Sequence, residues 1–357
     1  MEKEKSNKKL IIILSAIVGV LLIVGLVLIL TKKPTEDKGK EEETKEEEKE
    51  KEKEIEQPKS NVKIIDIYSK TRPYAIMINC KTEALPQAGL QDAYIVYEET
   101  VEGGITRMMA LLKDKELAKI GSARSARVQY LPYVFENDAI YVHAGGSKEA
   151  LDRIANENID DVDVDGKYGV RDKTLKRAWE HVLFTTTDLL AKAVKDKNIR
   201  NTTTTKNLLT YAEEELDLSK YTTKKEANKV SIKYSNYRTS VYNYDKDNKY
   251  YLRFMNKQKN TDLVTGEQYH VKNVLVYGVK YNTITLRGAG YQDPQIYGKG
   301  EGYYITDGVA LPITWEKKDE KSQTVYKIKE TGEDLIVNDG NTYIQIYPTN
   351  GGKLTIE

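Results

Sequence analysis

Residues 10–30 run for twenty-one positions without a charge, closed by Lys8 and Lys9 in front and by Lys32 and Lys33 behind. At about 1.5 Å of rise per residue, a helix of this length reaches roughly 31 Å, the thickness of a bilayer's hydrocarbon core. Such a segment confines the rest of the chain to one side of a membrane. A cleaved secretory signal is the competing reading, but its apolar region spans only ~7–15 residues and ends in small residues at the cut site. Here Leu28, Ile29 and Leu30 lead into Thr31, Lys32, Lys33 and Pro34, so the segment reads as an uncleaved, single-pass membrane anchor.

Charge does not set the orientation. Lys3, Lys5, Lys8 and Lys9 on one flank balance Lys32, Lys33, Lys38 and Lys40 on the other, and acidic residues count for little. The short tail, residues 1–9, is easily kept in the cytoplasm, which puts the body on the extracytoplasmic side of the cell membrane. Cys80 is alone, so no intramolecular disulfide is possible, and no cysteine follows the apolar run to carry a lipid. Residues 36–56 are almost entirely Glu and Lys, with no apolar face to bury. Residues 31–61 are therefore read as a stalk, either helical through Glu–Lys pairs four apart or extended by self-repulsion. A formal net charge of +1 over the whole chain excludes general nucleic-acid binding.

The remaining three hundred or so residues have room for two domains. In residues 62–217, short apolar runs at 75–78, 93–97, 108–112 and 139–142 predict buried strands. Helical spacing falls at 128–135, 148–156 and 188–197, with Ser147 and Thr187 as expected N-caps of the last two. A short helix at 208–216 is expected to end this N-terminal α/β domain, and residues 218–229 form a polar linker. From 230 to 357, tyrosines and branched residues alternate with polar ones, and Asp307-Gly308 and Asp339-Gly340 read as hairpin turns. The fold class expected is α+β: a mixed α/β domain, then a mostly antiparallel β domain. The chain has 26 Tyr against 3 Phe. This suits half-wet strand faces better than a sugar-stacking platform.

Four clusters in the first half carry chemistry: residues 102–107 ending in Arg107; 121–127 with Ser122, Arg124, Ser125 and Arg127; 143–147; and Arg171-Asp172 with His181. His143, Ala144, Gly145, Gly146 and Ser147 leave a strand and enter a helix, an arrangement that turns backbone N–H groups outward toward an anion. Arginines from the other loops would complete a pocket, since guanidinium forks match phosphate and carboxylate. A capped helix with surface arginines in ion pairs explains the same residues without a ligand.

The run Arg72-Pro73-Tyr74-Ala75-Ile76-Met77-Ile78-Asn79, then Pro86-Gln87-Ala88-Gly89-Leu90, Ala93-Tyr94-Ile95-Val96-Tyr97-Glu98 and residues 102–107, resembles the YerB-like lipoprotein family of Gram-positive bacteria. Residues 124–127, 143–147, 303–306, 313–315 and 343–346 continue the match in order, over nearly the whole body. The resemblance implies an extracytoplasmic, membrane-attached protein with N- and C-terminal domains and no established activity. Family members typically attach through a lipidated cysteine, where this chain has an apolar segment. They also tend to show a Pro-His-Asn step where this chain reads Trp179-Glu180-His181-Val182.

Asp161, Asp163, Asp165, Gly166 and Asp172 fall at positions 1, 3, 5, 6 and 12 of an EF-hand-type calcium loop. Asp at position 12 and the cations Lys167 and Arg171 inside the loop favour an acidic exposed turn, and no metal is expected. No cofactor is expected either, for the chain lacks a P-loop, dinucleotide fingerprint, zinc signature and nucleophile elbow. The reading favoured is a tethered protein that binds an anionic cell-envelope ligand through Arg107, Arg124, Arg127, His143, Gly145, Gly146, Ser147, Arg171, Asp172 and His181. A hydrolase or transferase using Ser147 or Ser125 with His143 as base is the alternative. A non-catalytic scaffold for a protein partner is the third.

Overall fold

The runs at 75–78 and 108–112 lack the alternation of a half-wet strand because their strands are buried on both faces. A computed structural model describes residues 60–286 and 289–357; the apolar segment 10–30, the tail and nearly all of the stalk lie outside the described residues. Among the described residues, no helix is long and apolar enough to cross a membrane. The first half supplies β1 (Tyr74–Ile78), β2 (Ile95–Thr100), β3 (Thr106–Leu112), β4 (Ile140–His143) and β5 (Asp161–Asp163). The second supplies β6 (Lys229–Lys233), β7 (Thr239–Asp245), β8 (Tyr250–Met255), β9 (Asn273–Val279), β10 (Tyr281–Leu286) and β11 (Ala289–Pro294). It ends with β12 (Gly298–Thr306), β13 (Val309–Lys317) and β14 (Thr342–Pro348).

One large mixed sheet runs Lys225–Glu226, β13, β12, β9, β14, β2, β3, β1, β4, β5. Its middle strand, β14, pairs in parallel with β2 on one side and with β9 on the other. The second half is therefore not simply an antiparallel sheet of its own, and the described residues form one compact unit. Periodicity cannot report this, because a strand covered on both faces reads alike whichever partners flank it.

A second, antiparallel sheet, built on β6, β7 and β8 with Lys353–Ile356, covers one face of the first. Its strands alternate buried with half-buried or exposed positions, as a sheet with one wet face should. Val230, Ile232, Tyr242 and Tyr251 share a core with Ile76, Val96, Met108 and Tyr343. On the other face Ala75, Met77, Tyr97 and Met109 pack with Tyr130, Leu131, Tyr133 and Tyr141. The structure is thus α+β with far more strand than helix.

The helices are α1 (Leu131–Glu136), α2 (Lys148–Asn156) and α3 (Thr187–Asp196). Ser147 caps α2, its Oγ accepting from the Ala150 N–H at 3.2 Å. The cap of α3 is Thr186 rather than Thr187, with Oγ1 accepting from the Leu189 N–H at 3.0 Å. Ser147→Ala is expected to lower the unfolding free energy by about 1 kcal/mol, read by urea denaturation, through loss of one cap.

Two further expectations are corrected. Residues 208–216 form no helix: Thr210–Tyr211 pairs in parallel with Ile336–Val337, and Leu209 and Tyr211 are buried, so tertiary pairing overrides local propensity. Asp339-Gly340 is not a hairpin turn, for the Asp339 carboxylate accepts from the Lys63 and Ile64 N–H groups at 2.9 and 3.1 Å and ties down the start of the body. Asp307-Gly308 does turn the β12–β13 hairpin, with φ of 49° and 77° at the two central positions.

Candidate functional site

Strands β1, β4 and β5 run parallel, with α2 crossing between β4 and β5, so their carboxyl ends open on the same side of the sheet. Loops that leave parallel strands at that end diverge and make room for a ligand. Residues 121–127 enter the gap as an extended segment. The Arg124 N–H donates to Met77 O at 2.8 Å and the Asn79 N–H to Ser122 O at 3.0 Å. On the other side the Ala144 N–H donates to Arg124 O at 3.0 Å, and the Ala126 N–H to Gly145 O at 2.9 Å. This lacing prolongs the sheet beyond β1 and β4 and fixes the arginines of the segment over the strand ends.

The arginines crowd one another there. Arg107, on β3, is buried and donates from Nη1 to Ser125 O at 2.9 Å, while its own carbonyl accepts from Tyr130 Oη. Burial first, then the charges of Arg127 and Arg124, push its pKa down to about 10. Arg127 donates from Nε to the Glu102 carboxylate at 2.7 Å and from its N–H to Tyr141 Oη at 3.1 Å. Arg124 is lowered by burial and by Arg127, and its Nε is buried without a hydrogen-bond partner. His181 sits beside this cluster, its Nδ1 accepting from Asn79 Nδ2 at 2.9 Å. Burial, followed by the Arg124 charge, holds the ring below the usual histidine range.

The glycine turn is a different environment. The Gly145 N–H, at φ 58°, already donates to Asp163 Oδ1 at 3.1 Å, and the Ser147 N–H donates to Ala126 O at 3.2 Å. Two of the amides expected to hold an external anion, those of Gly145 and Ser147, are thus engaged by the chain, the first by a carboxylate of its own. His143 is buried, with Nδ1 against Gly145 O at 2.9 Å and Nε2 against Asp161 Oδ2 at 3.2 Å. With both ring nitrogens so placed and Ser147 Oγ spent on the cap, His143 forms no dyad with Ser147, nor is Ser125 its partner. Asp161 is buried enough to be raised, yet the bonds and charges of His143 and Lys197 hold it below the usual range.

Family models match both halves of the body: the N-terminal domain of a protein of unknown function, DUF3048, at residues 61–200, and its C-terminal domain at residues 230–344. The chain belongs to the DUF3048 family. It is 27% identical over 300 residues to "Putative lipoprotein YerB" of Bacillus subtilis (strain 168), spanning 82% of this chain and 86% of the relative. The crystal structure of the YerB protein from Bacillus subtilis superposes with a TM-score of 0.70 at 25% identity, covering 84% of this chain and 99% of the other. The family resemblance carried by residues 72–79, 102–107 and 124–127 is therefore shown, and every residue of the arginine cluster lies in the N-terminal DUF3048 domain.

Within that domain Arg171 and Asp172, expected beside His181 in the site, are engaged by other partners. Arg171 lies 4.1 Å over the Trp179 ring, donating from Nη1 to Trp179 O at 2.9 Å and from Nη2 to Asp165 Oδ1 at 2.6 Å. It braces the turn that carries His181. Asp172 pairs with Lys119 at 2.5 Å and accepts from the Thr174 N–H and Oγ1; the Lys119 and Thr174 bonds hold it down at about 2. The calcium-loop carboxylates are dispersed for a physical reason. Asp161 and Asp163 lie on strand β5, turned toward His143 and Gly145, while Asp165 and Asp172 serve Arg171 and Lys119. Among the described residues, no group of three or more His, Cys, Asp or Glu is placed to hold a metal ion. Sequence reasoning missed Asn79 and Asp163 as site supports. A polar residue directly after an apolar strand run, as Asn79 follows Ile78, is the available signal for the first.

Proposed function

We propose that this DUF3048 protein is tethered to the membrane with its body outside the cell, and that Arg124, flanked by Arg107, Arg127 and His181, holds an anionic group of a cell-envelope ligand. The observation that carries this reading is the imbalance of the cluster. Of its three guanidiniums only Arg127 has a carboxylate in ion-pair distance among the described residues, and Arg124 Nε lacks any partner. Such crowding of cations is unfavourable without a counter-charge, and a phosphate or carboxylate supplies both the charge and the missing acceptors. The described lipoprotein character of the relative YerB, and the apolar segment 10–30 of this chain, support the location.

Isothermal titration of inorganic phosphate and pyrophosphate at low salt tests the reading. Arg124→Ala is expected to weaken binding about 10-fold or more, the equivalent of one charge-assisted hydrogen bond of ~1.5–3 kcal/mol. Arg171→Ala, which removes the contacts to Trp179 and Asp165, is expected to change it far less. No heat with the unmodified protein, or equal affinities with and without Arg124, contradicts the proposal.

A further inference from the structure

Far along the large sheet from the arginines, four strands leave part of one face open. Cross-strand register aligns Val276 on β9, Tyr303 on β12 and Pro312 on β13 in one row, and places Gly278 on β9 opposite Tyr347 on β14. These residues line a cleft of about 420 Å³, within the usual size range of small-molecule sites. Its shape depends on Gly278. A Cβ at that position would lie 2.7 Å from Thr349 Cγ2, 2.8 Å from Tyr347 Cζ and 3.0 Å from its Oη, so glycine leaves the room in which the Tyr347 ring lies across the strand.

Both tyrosines are half-buried, and neither hydroxyl has a hydrogen-bond partner among the described residues. Lys225 Nζ stands 4.2 Å from the Tyr303 ring centroid and backs that ring. At the rim, Glu301 pairs with Lys329 at 2.6 Å. Glu330 accepts from the N–H and hydroxyl groups of both Thr222 and Thr223, which hold its pKa down at about 2. The carboxylates of Glu301 and Glu330 balance the ammonium groups of Lys225 and Lys329, so the cleft offers charged acceptors and donors with no net sign. Aromatic rings with wet hydroxyls, set among paired charges, suit a molecule that is neutral, has flat C–H faces and is edged with hydroxyls.

From this geometry we infer that the Tyr303–Tyr347 cleft is a carbohydrate-binding site, taking a pyranose ring of a neutral glycan against the two tyrosines with its hydroxyls toward Glu301, Lys329 and Glu330. The site is separate from the arginine cluster and does not depend on that reading. It reverses the expectation, drawn from composition alone, that the tyrosines serve only as strand-face residues at this place.

The test uses the purified full-length chain and two soluble probes, chitotetraose and maltotetraose, titrated to 10 mM while Tyr303 and Tyr347 resonances are followed by NMR. Saturable binding of at least one probe is expected. It should weaken at least tenfold in Tyr303→Ala and in Gly278→Ala, which displaces the Tyr347 ring, and persist within threefold in Tyr303→Phe, which keeps the stacking face. Unchanged circular dichroism and thermal midpoint identify variants that remain folded, and Tyr303→Phe guards against a folding artefact. Neither probe binding, or binding indifferent to both Tyr303→Ala and Gly278→Ala, overturns the assignment.

Discussion

Replacing Arg253 by Met is expected to cost about 3–5 kcal/mol of stability, because it strands a carboxylate in the core. Arg253 on β8 and Glu98 on β2 form an ion pair at 2.8 Å with both side chains fully buried, joining the small sheet to the large one. Thr106 Oγ1 and Ser240 Oγ also donate to Glu98, at 2.7 and 3.1 Å, and Arg253 donates to Asn260 and lies over the Tyr343 ring of β14. Desolvating two charges costs nearly as much as their attraction returns, so the pair as a whole adds little net stability, whereas either member alone is strongly unfavourable. The double variant Glu98→Gln/Arg253→Met should therefore recover most of the loss. Urea denaturation of both variants reads the difference. A single variant within 1 kcal/mol of the unmodified protein would remove the pair from this account.

Glu99, the neighbouring residue on β2, predicts a pH dependence of similar size. It is fully buried, Oε1 has no hydrogen-bond partner, and Tyr133 and Tyr281 reach Oε2 only at 3.4 and 3.5 Å. Burial raises its pKa from 4.5 to about 8, the hydrogen bonds offsetting only part of the rise. The folded protein thus keeps a proton that the unfolded chain releases, and binds more protons than it between these two values. Its contribution to stability is complete below about pH 4.5, declines as pH rises, and is gone above about pH 8. At 1.36 kcal/mol per unit the decline is on the order of 4–5 kcal/mol. Glu99→Gln should match the unmodified protein at pH 5 and exceed it by several kcal/mol at pH 9, in urea denaturation at each pH. Stability differences that do not change with pH would contradict the buried, protonated acid. Register sets Glu99 opposite Arg107, so an uncharged Glu99 also leaves the arginine cluster without a counter-ion from within the sheet.

The elements that follow from local pattern were readable in the sequence. The apolar runs became β1, β3 and β4, the Ser147 cap and α2 fall where spacing puts them, and Asp307-Gly308 turns its hairpin. What stayed hidden depends on partners distant in the chain. The β14 pairings join residues 342–348 to both 95–99 and 273–279, and no local periodicity encodes that choice. The site divides the same way. Arg107, Arg124, Arg127 and His181, candidates by residue type and by their place at the ends of predicted elements, lie together. The Gly145 amide beside them is not open, because the Asp163 carboxylate that answers it arrives from the next strand. The carboxylates spaced as a calcium loop likewise answer to partners distant in the chain, since a strand at 161–163 turns two of them onto His143 and Gly145.

The claim that Arg124 and its neighbours hold an anion is tested most directly by anomalous diffraction from crystals soaked in sodium tungstate. The account predicts a tungsten peak in contact with the Arg124 guanidinium, on the side of its unpartnered Nε, that is absent in Arg124→Ala crystals grown in the same form. Tungstate seated on the Gly145–Gly146 turn instead, or found nowhere near the three arginines, would contradict it.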